Sequence, residues 1–100
     1  MIDLKENTKY RIDYTTKFKK QLKKLIKQNK DINEFLKVIT KLANLEELEP
    51  KYQNHKLIND SIYNNCYECH IRPDWLLIYK YVDQKLLLLF ATGSHSELFQ

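Results

Sequence analysis

The 100-residue chain has one glycine, two prolines, two cysteines and, among 17 basic side chains, only two arginines. So little glycine and proline, beside 43% hydrophobic and 30% charged residues, excludes disorder, collagen-like repeats and low complexity. The scarcity of arginine leaves bidentate base reading without support, whereas the 15 lysines suit point-charge contact with phosphate. Long apolar runs are absent too. The longest, around Trp75–Tyr79 and Leu86–Ala91, are far too short to cross a bilayer, so no membrane partner is expected. Near the N-terminus stand Asp3, Lys5 and Glu6 with no apolar h-region, so no secretory signal is expected. A chain of this length forms one domain, residues 1–100, able to bury roughly two-thirds of its unfolded surface without disulfides or metal.

The two cysteines, Cys66 and Cys69, are spaced as CxxC. The surrounding sequence reads as strand, where residues three apart face opposite ways, which opposes both a disulfide and shared metal ligation. Two reduced thiols in a cytoplasmic protein is the expectation. Charge is unevenly placed. Residues 1–30 hold ten basic and three acidic side chains, and residues 31–100 hold seven and ten, so +7 stands against −3. One end of the molecule should show a positive face suited to nucleic acid or an acidic protein.

Residues 1–9 are polar and aperiodic, a loose lead-in. Tyr10–Tyr14 alternates as a half-buried strand. Thr15 or Thr16 then caps a helix in which Phe18, Leu22, Leu25 and Ile26 form one stripe, with Lys17, Lys20, Lys23, Lys24, Lys27 and Lys30 opposite. Asp31-x-x-Glu34 resembles a capping box for a second helix whose buried face runs from Ile32 to Ala43. Residues 51–64 read as a long connection containing His55. Strands follow at Cys66–Arg72, Trp75–Val82 and Lys85–Ala91, the last broken by Thr92-Gly93, and Ser94-x-x-Glu97 caps a final helical turn. The β-α-α-β-β-β order predicts an α+β domain, an antiparallel sheet with a helical hairpin on one face and a short C-terminal helical turn.

The three histidines are His55, His70 and His95, and none lies on an apolar helix stripe. An antiparallel meander brings His95, past the end of the third meander strand, to the corner of His70 and Asp74. Imidazoles beside a carboxylate can move protons both ways and donate to phosphate oxygens. Trp75 and Phe99 flank the corner as platforms for nucleobases, and Lys20, Lys23 and Lys27 offer phosphate contacts. Such a set suits metal-free RNA cleavage: a base takes the 2′-hydroxyl proton, the oxygen attacks phosphorus, and an acid protonates the departing 5′ oxygen. No HxH or HExxH spacing supports zinc, and neither metal nor cofactor is expected. The rival reading is a non-catalytic basic module that works by occupying a partner.

Three segments carry a resemblance: Tyr52–Leu57, Cys69–Tyr79 and Thr92–Phe99, with H-x-x-P-D-W-x-L-x-Y and G-S-H-x-x-L-F read within the last two. Together they resemble the YafQ-type mRNA interferase toxins of the RelE/ParE superfamily. The resemblance implies a ribosome-dependent endoribonuclease acting on mRNA and neutralised by a cognate acidic antitoxin. It implies Asp74 as general base and His95 as general acid, with His55 and His70 stabilising charge on the phosphorane and Phe99 as the terminal aromatic. One position departs. Where the family often carries an arginine two residues before the glycine of the last motif, this chain has Ala91.

Overall fold

The computed structural model describes residues 7–99. Strand β1 (Arg11–Tyr14) leads into α1 (Thr16–Lys27) and α2 (Ile32–Ala43). A 3-10 turn at Pro50–Tyr52 precedes β2 (His55–Lys56), β3 (Tyr67–Arg72), β4 (Trp75–Val82), β5 (Leu86–Gly93) and α3 (His95–Leu98). The lead-in expected over residues 1–9 lies largely outside the described residues.

The helices start where their caps demand. Thr15 accepts the Phe18 N–H through its hydroxyl, and Asp31 accepts the N–H of Glu34. Glu34 does not complete a capping box; its carboxylate takes the Tyr52 hydroxyl instead, at 3.0 Å. The hairpin lays Phe18, Leu22, Leu25, Phe35, Ile39 and Leu42 on one face of the sheet, against Cys69, Leu77, Tyr79, Leu87 and Leu89. The opposite face carries a smaller cluster in which Tyr63, Leu76, Ile78, Ala91 and Leu98 meet. Strand β4 is buried from Trp75 to Tyr79, as apolar residues on both parities require. Cys66 and Cys69 fall in the two different clusters, so the CxxC pair is divided by the sheet. Burial pushes the Cys69 thiol up to about 12, with the neighbouring Glu68 charge adding to it.

Three expectations need correction. The sheet is mixed, with order β1-β5-β4-β3-β2, because β1 runs parallel to β5. The helical hairpin provides the crossover that a parallel pair requires. The segment at His55 is not wholly loop: His55 and Lys56 pair with Glu68 and Tyr67 as an edge strand. Strand β5 continues through Thr92-Gly93, and a bulge separates the pair Tyr79↔Leu89 from Ile78↔Ala91. That extra residue, Phe90, reverses the phase of β5. Leu89 faces the hairpin, Ala91 faces the opposite cluster, and Thr92 returns to receive the Trp75 indole N–H at 3.0 Å.

Candidate active site

Ladder register gathers the candidate residues on the face away from the hairpin. His70 pairs with Leu76 and Glu68 with Ile78, and both β4 residues belong to the second cluster, so His70 and Glu68 share its face. His55 pairs with Glu68. The Nε2 atoms of His55 and His70 each stand 3.3 Å from the same oxygen, Glu68 Oε1, and the two rings are 6.4 Å apart. His55 is fixed from behind, because its Nδ1 donates to the Gln53 carbonyl at 2.7 Å and leaves Nε2 to face the site. Glu68 is 6% exposed, a buried carboxylate whose positions on both sides are taken by imidazoles. The sequence reading missed it. Its signal was the two-residue spacing from His70, which places both side chains on one face of a strand.

The second half of the site is built by α3. Leu76, the neighbour of His70, pairs in turn with Gly93, so the His70 row reaches β5 two strands away, roughly 10 Å, and two residues before His95. Asp74, in the turn from β3 to β4, accepts the backbone N–H of His95 through Oδ1 at 3.0 Å. Ser94 and Glu97 form a complete capping box, in which the Ser94 hydroxyl takes the Glu97 N–H and Glu97 takes the N–H of Ser94. Lys24 of α1 reaches across to Glu97. The Lys24 hydrogen bond, followed by those from Ser94, holds the Glu97 carboxyl down at about 2. An added Cβ at Gly93 would stand 2.9 Å from Glu97 Oε1, so the carboxylate would have to shift from its place in the capping box. The His95 ring lies against Phe99, 4.9 Å between centroids, and Phe99 meets Tyr63 edge-on.

The candidate residues therefore form two linked pairs, His55 with His70 and Asp74 with His95; His70 is joined to Glu68 rather than to Asp74. Phe99 keeps a partly open ring beside His95. Trp75 does not fit its expected place. It is 3% exposed, packs 5.0 Å from Phe35 and gives its N–H to Thr92, so no ring face is left for a base. The tryptophan is a core pillar, held by the same strand alternation that turns Leu77 toward the hairpin. Lys20, Lys23 and Lys27 are all exposed on α1, and of these Lys20 lines the groove that runs beside Thr92, Gly93 and Glu97.

Ala91 is fully buried beside Tyr63 and Leu98, a setting in which a guanidinium would lose its solvation. Arg72 does not stand free to replace it, because its Nη2 lies 3.1 Å from Asp31 Oδ2 and 2.9 Å from Glu34 Oε1. Among the described residues no group of three or more His, Cys, Asp or Glu side chains is arranged to hold a metal ion. No helix among them is long and apolar enough to cross a membrane.

Residues 10–100 match the model of a family described as bacterial toxin of type II toxin–antitoxin system, YafQ. A curated relative from Escherichia coli BL21(DE3), named mRNA interferase toxin YafQ, is 38% identical over 89 residues, covering 88% of this chain and 94% of the relative. The E. coli DinJ–YafQ complex contains a chain that superposes with a TM-score of 0.80 at 37% identity, covering 91% of this chain and 99% of that one. A metal-bound toxin from Helicobacter pylori superposes with a TM-score of 0.83 at 41% identity, covering 90% and 99%.

Proposed function

The chain belongs to the YafQ family of bacterial type II toxin–antitoxin toxins, and from that premise we propose that it is an endoribonuclease that cuts messenger RNA on the ribosome. The observation that carries this reading is the junction of Asp74 with His95, which holds a carboxylate and an imidazole at one exposed corner. With Oδ1 engaged by the His95 N–H, Oδ2 of Asp74 takes the 2′-hydroxyl proton. The 2′ oxygen then bonds to phosphorus, the bond from phosphorus to the 5′ oxygen breaks, and His95 gives that oxygen its proton. The products are a 2′,3′-cyclic phosphate and a free 5′-hydroxyl. As charge builds, His55 and His70 turn their Nε2 N–H groups from Glu68 to the non-bridging oxygens.

The site is shallow and has no buried arginine of its own, so the ribosome supplies orientation. Holding the 2′ oxygen in line with phosphorus lowers the barrier by several kcal/mol, roughly 7–11 at the limit. The lysines of α1 give contacts to phosphate that are independent of sequence. The inhibitor is an acidic antitoxin met in the cytoplasm through charge steering; the complex of the E. coli relative with DinJ supports a protein partner of this kind. The Helicobacter relative is a metal-bound toxin, whereas the cleavage proposed for this chain uses only its own side chains.

The test is a comparison of the same messenger on programmed ribosomes and free in solution at matched salt. Cleavage should be far faster on the ribosome and should survive EDTA once ribosomal magnesium is restored. Equal rates would remove the ribosome from the reading. Growth arrest by a His95→Ala protein that cuts no RNA would favour the rival, a non-catalytic toxin on the same fold, which the alanine at position 91 also suits.

A further inference from the structure

We infer that the seam between α1 and α3 is a nucleotide-binding subsite, which holds the RNA residue adjoining the scissile phosphate; this rests on the endoribonuclease reading. Two surface grooves meet along the seam and share Leu25, Gln28 and Glu97. The larger encloses about 570 Å³, within the range of about 300–1,000 Å³ typical of small-molecule sites. Its lining suits a nucleotide part by part. Leu25 and the rim of Trp75 give an apolar floor, the Gln28 amide and the Ser96 hydroxyl give hydrogen-bonding edges, and Lys30 gives a cation. Asp74 closes one end, so a chain lying in the groove leads directly to the Asp74–His95 corner.

Charge pairing separates the cations of the seam into two kinds. Lys24 is spent on Glu97, and Arg72 on Asp31 and Glu34. Lys20 and Lys30 line the two grooves and have no ion-pair partner among the described residues, so they are free to meet phosphates. Lys30 sits there because α1 ends tightly. Asn29 takes a left-handed conformation at φ 56°, and the Lys30 N–H turns back to the Leu25 carbonyl at 3.3 Å. A single strand passing from the Lys20 groove to the Lys30 groove would follow the seam and present its next phosphate to His95. An acidic protein segment is the competing occupant of such a surface.

The experiment uses the full chain and a short single-stranded oligoribonucleotide methylated at every 2′ oxygen, which cannot be cut because it lacks the nucleophile. Fluorescence anisotropy gives its Kd for the parent and for Lys20→Glu, Lys30→Glu and Lys85→Glu. Lys85 lies in the β4–β5 turn, outside the seam. Lys30→Glu should raise Kd tenfold or more and lower the slope of log Kd against log salt by about 0.7, as loss of one single-strand phosphate contact requires. Lys20→Glu should raise Kd at least threefold, and Lys85→Glu less than twofold. Thermal melts confirm that the exposed substitutions leave the fold intact. The subsite is overturned if the parent does not bind, if the seam substitutions act no more strongly than Lys85→Glu, or if they weaken only an acidic antitoxin. Cleavage of unmodified messenger on ribosomes is scored separately. A protein that binds through Lys30 yet never cuts would uphold the subsite and overturn the endoribonuclease reading.

Discussion

Beneath the helical hairpin Phe18, Phe35 and Trp75 pack in sequence, 6.1 and 5.0 Å between neighbouring rings, and the hydrophobic cluster is continuous from α1 to β3. On the other side of the same sheet the apolar cluster is small, and beside it the face carries Glu68, His70 and His55, with α3 placing His95 nearby. One side gathers the burial that stabilises the fold; the other keeps polar groups at working distance, where covering them would remove the site. The strand β4 serves both at once, since Leu77 and Tyr79 face the hairpin while Leu76 and Ile78 form the floor under the histidines.

The sharpest way to separate the faces is to truncate one ring on each. His95→Ala should lower cleavage on programmed ribosomes by roughly 10²-fold or more, the usual worth of a general acid, with urea unfolding unchanged. Phe35→Ala should do the reverse. It leaves a cavity in the hairpin core costing about 3–5 kcal/mol, against a typical domain stability of about 5–15 kcal/mol. Loss of activity from Phe35→Ala should therefore follow the unfolded fraction. A His95→Ala protein that cuts at the parent rate would break the division.

Glu68→Gln tests whether the polar face depends on orientation as well as on its acid and base. The amide keeps the volume but removes the charge that both Nε2 atoms face. A loss near tenfold in kcat with KM nearly unchanged is expected, because the imidazoles remain present but are less well held. An equal loss in stability, seen as a shifted urea midpoint, would assign Glu68 to the fold instead.

Much of this division was legible in the residues. The lysine-flanked apolar stripe of α1 apart from Ile26, which is exposed, the caps at Thr15 and Asp31, and the burial of β4 on both faces follow from spacing and hydrogen-bonding chemistry. The meeting of Asp74 with His95 followed from the meander alone. What was hidden depended on long-range pairing. Nothing in Arg11–Tyr14 says that its partner is parallel, since that is settled by where the hairpin returns the chain. The two residues of β2 are too few to show a period. The bulge at Phe90 was invisible because Leu86–Ala91 is apolar at every position, so alternation has no phase to shift. Trp75 was read from its place beside the Asp74 corner, although a strand apolar on both faces keeps it in the core.

Smaller effects should appear where α3 is tied to α1. Glu97 is held at about 2 in the folded chain, below the ordinary value near 4.5, so it contributes stability that is complete above about 4.5 and lost as pH falls toward 2. Both side chains of the Lys24–Glu97 pair are well exposed, which limits Lys24→Met to about 0.2–1 kcal/mol at neutral pH. Urea unfolding from pH 6 to 2.5 should show the parent losing its margin over Lys24→Met as Glu97 of the unfolded chain takes up its proton. A margin that stays constant through this range would show that the ion pair contributes nothing.

The least effect is expected at the far end of the sheet, where neither face is engaged. Asp83 and Gln84, both left-handed at φ 53°, are the central residues of the three-residue β4–β5 turn, which the Lys85 N–H closes on the Val82 carbonyl at 3.1 Å. A side chain in that region costs roughly 1–2 kcal/mol, and glycine removes this cost while adding roughly 0.5–1 kcal/mol of lost chain entropy on folding. Gln84→Gly should therefore stabilise the protein by about 0.5 kcal/mol. Its effect should appear as a small rise in the urea midpoint with an unchanged slope, since the turn alters neither core nor exposed surface. Cleavage should be untouched, because the turn lies at the end of β4 remote from Asp74. A change in cleavage rate without a change in midpoint would mean that the turn takes part in docking, and that the polar face extends along β4 beyond the residues placed on it here.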